Sequence, residues 1–176
     1  MNFFITGLPR CRSAWLANFM TFGDTHCFHD VFRDCPRVEN LKDHFKTAEC
    51  ANIGVSDPAL ALFHEKIIEL FPEAKWVVVN RDINESVESS MKAFGSNDVR
   101  TGIETIQESI NRLVVNHQPI MVSFKTMDSD FALKIAQYLV PGFVSPPARN
   151  ALLDRLNIQI DPELLKKEIG MLPKCE

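Results

Sequence analysis

Apolar positions along this chain fall into two alternating kinds of run. Short continuous stretches read as buried strands: Phe3-Phe4-Ile5, Ala51-Asn52-Ile53-Gly54-Val55, Lys75-Trp76-Val77-Val78-Val79-Asn80, and Pro119 to Phe124. The third carries the unbroken β-branched run of a central parallel strand. Thr25 to Asp30 reads as a short strand and its exit.

Between these runs the apolar residues recur at helical spacing. Arg12 to Phe22 places Trp15, Leu16, Phe19 and Met20 on one face, and Gly23-Asp24 ends it. Pro36 to Glu49 has Val38, Leu41 and Phe45 at helical intervals. Ser56-Asp57-Pro58 opens a helix carrying Leu60, Phe63, Ile67 and Phe71, with Asp57 as N-cap before Pro at N1. Asp82 and Glu85 form a capping-box variant for a helix running to about Phe94. After a loop at Gly95-Ser96-Asn97-Asp98, read as mobile, Thr101 to Asn116 stripes Ile103, Ile106, Ile110 and Leu113. Asp128 caps a helix through Leu139, and Pro141-Gly142 and Pro146-Pro147 interrupt the chain beyond it. Two short helices close the chain, the second begun by Asp161-Pro162.

Strands alternating with helices predict an α/β fold with a central parallel sheet. The 176 residues suit a single domain spanning 1–176. Composition adds only exclusions. Net charge is -4, so nothing pulls the whole chain to nucleic acid or an anionic membrane, and any anion site is a local positive pocket. No apolar run is long enough for a bilayer span and the N-terminus lacks a signal-peptide pattern. The five cysteines are scattered, with no C-x-x-C pair. Reduced thiols in the cytoplasm are the expectation.

The chemistry concentrates at the start. Asn2 to Thr6 is a strand, Gly7-Leu8-Pro9-Arg10-Cys11-Arg12-Ser13 a tight turn, and Ala14 onward a helix. A strand feeding a turn into a helix N-terminus presents backbone N–H groups and the positive end of the dipole to an anion. Arg10 and Arg12 add full charges. A nucleotide-triphosphate loop reads G-x-x-x-x-G-K-[ST]. Gly7 fits that pattern, but Arg12 replaces the second Gly, Ser13 the Lys, and Ala14 the hydroxyl that binds magnesium. The missing hydroxyl argues against ATP or GTP hydrolysis.

The turn does resemble the 5′-phosphosulfate loop of sulfotransferases, P-[KR]-S-G-T-T-W, at Pro9, Arg10 and Trp15, and conservatively at Ser13. That family also carries an Arg at a strand's end and a Ser eight positions later, both binding the 3′-phosphate of 3′-phosphoadenosine 5′-phosphosulfate (PAPS). Val77-Val78-Val79-Asn80-Arg81 through Ser89 has both residues at that spacing, with Ile83 where a Pro is usual. An Arg at a strand's carboxyl end reaches the crevice where α/β ligands sit, and its fork suits a phosphate. A third stretch, Met121 to Leu139, resembles the family's late strand and helix, with Lys125 in place of an acidic residue. The basic R-K-G-type loop that closes over the nucleotide has no counterpart at matching spacing; Arg149 and Arg155 lie in that part of the chain.

The resemblance covers roughly residues 2 to 142. It implies a three-layer P-loop-type fold and metal-independent transfer of a sulfuryl group from PAPS to a small-molecule acceptor hydroxyl or amine. Gly7, Pro9, Arg10, Cys11, Arg12, Ser13, Ala14 and Trp15 would hold the phosphosulfate end, Arg81 and Ser89 the 3′-phosphate, and Arg10 the charge on the leaving phosphate. A non-catalytic nucleotide- or anion-binding protein of the same fold is the alternative, and a P-loop kinase-like phosphotransferase a third.

In-line transfer needs a base for the acceptor proton. Asp30 falls close to where protein-tyrosine sulfotransferases carry a catalytic Glu, and its neighbour His29 carries an imidazole, a side-chain type suited to general-base work. Asp57 lies near where cytosolic members place a His, but its sequence context is that of an N-cap. Asp30 and His29 therefore remain the two candidates. His44, His64 and His117 read as surface residues. Cys11, beside two arginines, lacks the Arg that a C-x5-R phosphatase loop requires.

Overall fold

The computed structural model describes residues 1–95 and 98–155. Ser96 and Asn97 of the expected mobile loop, the expected helix after Asp161 and Cys175 lie outside them. Five strands, β1 (Asn2–Gly7), β2 (Thr25–His29), β3 (Asn52–Ser56), β4 (Lys75–Asn80) and β5 (Ile120–Ser123), form one sheet in the order β2-β3-β1-β4-β5. Every pairing is parallel. The sheet is covered on both faces, which makes a three-layer α/β fold.

Side-chain alternation along each strand assigns the two layers. Phe3 and Ile5 of β1 and Val77 and Val79 of β4 face one way. There they meet α1 (Ser13–Met20), α7 (Ser129–Leu139) and α8 (Pro147–Arg155) through Leu16, Phe19, Ile135, Leu139 and Leu153. Phe4, Trp76 and Val78 face the other way, onto a layer built by α3 (Leu41–Phe45), α4 (His64–Leu70), α5 (Ile83–Phe94) and α6 (Val99–His117). Phe4 sits in an aromatic cluster there with Phe45, Phe71 and Trp76. A short α2 (Val31–Asp34) leaves β2.

Polar residues set the helix starts as expected. Asp57 Oδ1 accepts from Ala59 N–H at 2.7 Å, Asp82 Oδ1 from Asn84 and Glu85, and Asp128 Oδ1 from Phe131.

Several sequence readings are corrected. Asp82 takes the Glu85 N–H as a capping box requires, while the Glu85 side chain pairs with Lys125 at 3.1 Å and so joins α5 to the segment after β5. The Pro36–Glu49 stretch is a five-residue helix between two 3-10 turns, and the segment after Asp57 begins as a 3-10 helix over Pro58–Phe63. That tighter winding turns Phe63 outward, while Leu60 and Ile67 stay buried. β5 is an edge strand, so only Val122 of Ile120, Met121 and Val122 is buried. His64 is buried, its Nδ1 bonded to the Ala61 carbonyl at 2.8 Å. No helix among the described residues is long and apolar enough to cross a membrane.

Candidate functional site

β1 ends beside β4, at the centre of the sheet. Gly7 is required there because a Cβ would lie 2.5 Å from the Val79 carbonyl oxygen and 2.9 Å from Cys11 Sγ. The chain then turns through Leu8 to Arg12 into α1. Arg10 and Arg12 both adopt the left-handed conformation, at φ 68° and 67°. Arg12 thus holds a glycine-favoring conformation at the position where a nucleotide-triphosphate loop has its second glycine. Such a conformation costs about 1–2 kcal/mol for a residue with a Cβ. Neighbouring elements hold the loop. Ser86 of α5 donates its hydroxyl to the Pro9 carbonyl at 2.6 Å, Arg81 donates to the Arg10 carbonyl, and Cys11 N–H returns to the Leu8 carbonyl at 3.2 Å.

The distant pair singled out by its spacing reaches this loop. Arg10 Nε donates to Ser89 Oγ at 3.3 Å, and Arg81 Nη1 bonds the same arginine's backbone. Arg10 therefore stands between the residues assigned to the phosphosulfate end and those assigned to the 3′-phosphate. The Arg12 guanidinium lies 5.0 Å from the Phe124 ring centroid and donates to the Met127 carbonyl. Arg81 lies 4.2 Å from the same ring. Burial first, and then the charges of Arg10 and Arg12, hold Arg81 below the ordinary guanidinium range, with Glu85 acting in the opposite direction. Its Nε is buried without a hydrogen-bond partner among the described residues. Three guanidiniums thus lie around the turn before α1, one of them with an orphaned donor, and guanidiniums beside a helix N-terminus are groups suited to an anion. A cleft of about 510 Å³ opens beside Arg81, lined by Asn80, Glu85, Gln107, Asn111 and Phe124 among others.

The other flank carries the candidate bases. Ser13, the first residue of α1, has its Oγ 3.1 Å from His29 Nε2. His29 Nδ1 is 3.2 Å from Asp30 Oδ2. That hydrogen bond is the main cause that holds the Asp30 carboxyl below its usual range, so it is ionised at neutral pH. Between the two candidates, His29 meets the loop and Asp30 stands behind it. Asp57 is buried at the end of β3 and keeps its cap. Burial pushes its carboxyl up, and nearby Asp30 adds to that.

Other expected site residues turn away. Trp15 lies on the core face of α1, stacked on Phe19, with its indole N–H donated to the Leu153 carbonyl at 3.1 Å. Cys11 is fully enclosed, and burial drives its thiol up to about 12, so it lends the loop backbone and bulk. Arg149 donates to the Asn18, Phe19 and Thr21 carbonyls at the far end of α1, which makes it a helix C-cap.

Sequence reasoning missed Ser86, Phe124 and the Ser13–His29 contact. Only Ser86, one turn before Ser89 on α5, carried a signal: it lies on the same helix face. Among the described residues no group of three or more His, Cys, Asp and Glu side chains is placed to hold a metal ion. No known protein-family model matches the chain, and no curated protein matches it.

Proposed function

We propose that the chain is a small sulfotransferase that moves a sulfuryl group from PAPS to an acceptor hydroxyl or amine. The observation that carries this reading is the meeting of Arg10, Arg81 and Ser89 across the strand-turn-helix nest. Two motifs about seventy residues apart, each resembling one phosphate site of the same co-substrate, contact one another. The buried Arg81 Nε and the cleft beside it fit a further phosphate and its nucleoside.

In this reading the 5′-phosphosulfate lies over the turn, against the N–H groups of α1 and Arg10. The acceptor oxygen takes the place of Ser13 Oγ as the partner of His29 Nε2 and attacks sulfur in line. Its proton passes to Nε2 as the bond from sulfur to the bridging oxygen breaks. Arg10 and the helix N-terminus then carry the charge left on the phosphate. Asp30 holds the proton of His29 on Nδ1 and so keeps Nε2 free to accept.

Thermal-shift titration without divalent metal tests the co-substrate. 3′,5′-ADP is expected to stabilise the protein well above 5′-AMP at equal concentration, because only it reaches both sites. Equal shifts, or a preference for ATP with magnesium, overturn the reading. Sulfuryl transfer from PAPS across a panel of phenols, alcohols and amines, lost in His29→Gln, then separates an enzyme from a binder.

A further inference from the structure

Ser13 completes a continuous relay with His29 and Asp30, and its hydroxyl is the member that sulfuryl transfer leaves unused. Ser13 Oγ lies 3.1 Å from Nε2, and Nδ1 lies 3.2 Å from the carboxylate. The ionised carboxylate accepts only, so it fixes the imidazole proton on Nδ1 and leaves Nε2 as an acceptor for the Ser13 hydroxyl proton. Ser13 occupies the first position of α1. The first bond of α1 runs from Leu16 N–H to the Arg12 carbonyl at 2.9 Å, so the Ala14 and Trp15 N–H groups that follow Ser13 in the first turn have no intrahelical acceptor. A hydroxyl with a base, an orienting carboxylate and adjacent backbone donors has the parts of an activated nucleophile. All three side chains are partly open to solvent.

We propose that Ser13 is a nucleophile, and that the chain forms a covalent acyl-serine with activated esters or thioesters whose leaving portion is anionic. The hydroxyl proton passes to His29 Nε2 as Oγ bonds to the carbonyl carbon. The charge that develops on the carbonyl oxygen falls to the first-turn N–H groups. The ester oxygen or thioester sulfur leaves with the bonding electrons and takes the proton from Nε2. Water, deprotonated by the same nitrogen, then attacks the acyl carbon, and Ser13 leaves with the proton. Arg10 and Arg81 supply the charge that selects an anionic leaving portion. Asp30 is a positioning residue.

This activity does not rest on the nucleotide reading, and the experiment keeps the two apart. The full chain is treated with a fluorophosphonate probe, and the adduct is mapped by peptide mass spectrometry. The proposal expects a single adduct on Ser13, none in Ser13→Ala, and a labelling rate at least roughly 100-fold lower in His29→Gln, the loss typical for a missing general base. Asp30→Asn slows labelling, and Asp30→Glu, which restores an acceptor for Nδ1, regains part of the rate; a merely structural Asp30 predicts no such recovery. Circular dichroism confirms that each variant is folded, and if His29→Gln unfolds, the two Asp30 variants decide. Labelling of Ser13 at equal rates in parent, His29→Gln and Asp30→Asn, or an adduct elsewhere, overturns the proposal. Failure of 3′,5′-ADP to bind, with Ser13 still labelled, sinks only the sulfotransferase reading.

Discussion

Replacing Arg81 with Met separates what the guanidinium does for the loop from what it does for an anion. In the free protein the change removes a charged hydrogen bond to the Arg10 carbonyl and a contact with Phe124. Those interactions are worth about 1.5–3 and about 0.5–1 kcal/mol. It also removes a half-buried cation repelled by Arg10 and Arg12, and with it an orphaned Nε whose burial costs about 1–3 kcal/mol. Met retains contact with the Phe124 ring through its sulfur. The opposing effects leave the free protein within about 1 kcal/mol of the parent, or roughly 2–4 °C in Tm for a chain of this size.

With an anion bound the balance changes. A charge pair at about 4 Å and an effective dielectric near 20 contributes about 4 kcal/mol before desolvation. A net loss of about 2–3 kcal/mol weakens binding roughly 30- to 150-fold. The assay is differential scanning fluorimetry in inorganic pyrophosphate, with no divalent metal. At about 100 times the parent Kd, the parent gains about 2.7 kcal/mol, which is roughly 5–11 °C. Arg81→Met at the same concentration gains about 0.3–0.9 kcal/mol, roughly 1–4 °C. Equal shifts in the two proteins refute the placement of an anion against Arg81. A parent that does not respond refutes the nest itself. A free variant that melts far below the parent shows Arg81 to be chiefly a strut for the loop.

Two further predictions concern the scaffold. Gly54→Ala puts a Cβ 2.1 Å from Phe3 Cε2 inside the core, so a loss of at least about 3 kcal/mol in urea denaturation is expected, and combining it with Phe3→Leu should cost less than the sum of the two; strictly additive losses contradict the clash. Asp57 has its folded-state pKa raised by burial, so its protonated form is favoured and the stability it contributes is present at acid pH and lost as pH rises through that folded value. Asp57→Asn keeps an acceptor for Ala59 N–H and cannot ionise, so its urea midpoint relative to the parent should rise between pH 4 and pH 7; a pH-independent difference sinks the argument.

How far the fold and site are legible in the sequence differs with the physical origin of each feature. The Lys75–Asn80 strand is bounded to the residue, because a strand buried on both faces writes itself as an unbroken apolar run. β5 reads much the same in sequence, yet lies at the sheet edge with Met121 and Ile120 open to solvent. Edge position comes from strand order, which no local pattern encodes. The Arg81–Ser89 pair is legible only through the resemblance to the sulfotransferase spacing, which one strand end and two helical turns hold fixed. Ser13 and His29 sit on separate elements, and their contact depends on how α1 crosses above β2, so nothing periodic joins them. Trp15 fails for a related reason: the turn fixes its place in the sequence, but the winding of α1 decides its direction, and that sends the indole to Leu153.

The left-handed arginines link the shape of the loop to its charge. Glycine at Arg10 or Arg12 would remove the backbone strain, but it would also remove a charge from the mouth of the nest. Keeping arginine therefore requires the fold to hold the loop from outside. It does so through the carbonyls of Pro9 and Arg10, taken by Ser86 and Arg81 of the β4–α5 unit, and through the Arg12 side chain on Met127 after β5. The loop's shape is thus set by the β4–α5 unit, which carries Arg81 and Ser89. Because Arg81 bonds the Arg10 backbone while its Nε has no partner among the described residues, the loop and Arg81 are already held together in the free protein. An anion bound there as proposed would meet donors whose ordering cost was met on folding, the condition under which positioned charges stabilise a transition state more than they do in water. The same rigidity holds Ser13 at hydrogen-bond distance from His29. On the two proposals, the groups that would bind charge and those that would align a nucleophile come from one strained turn.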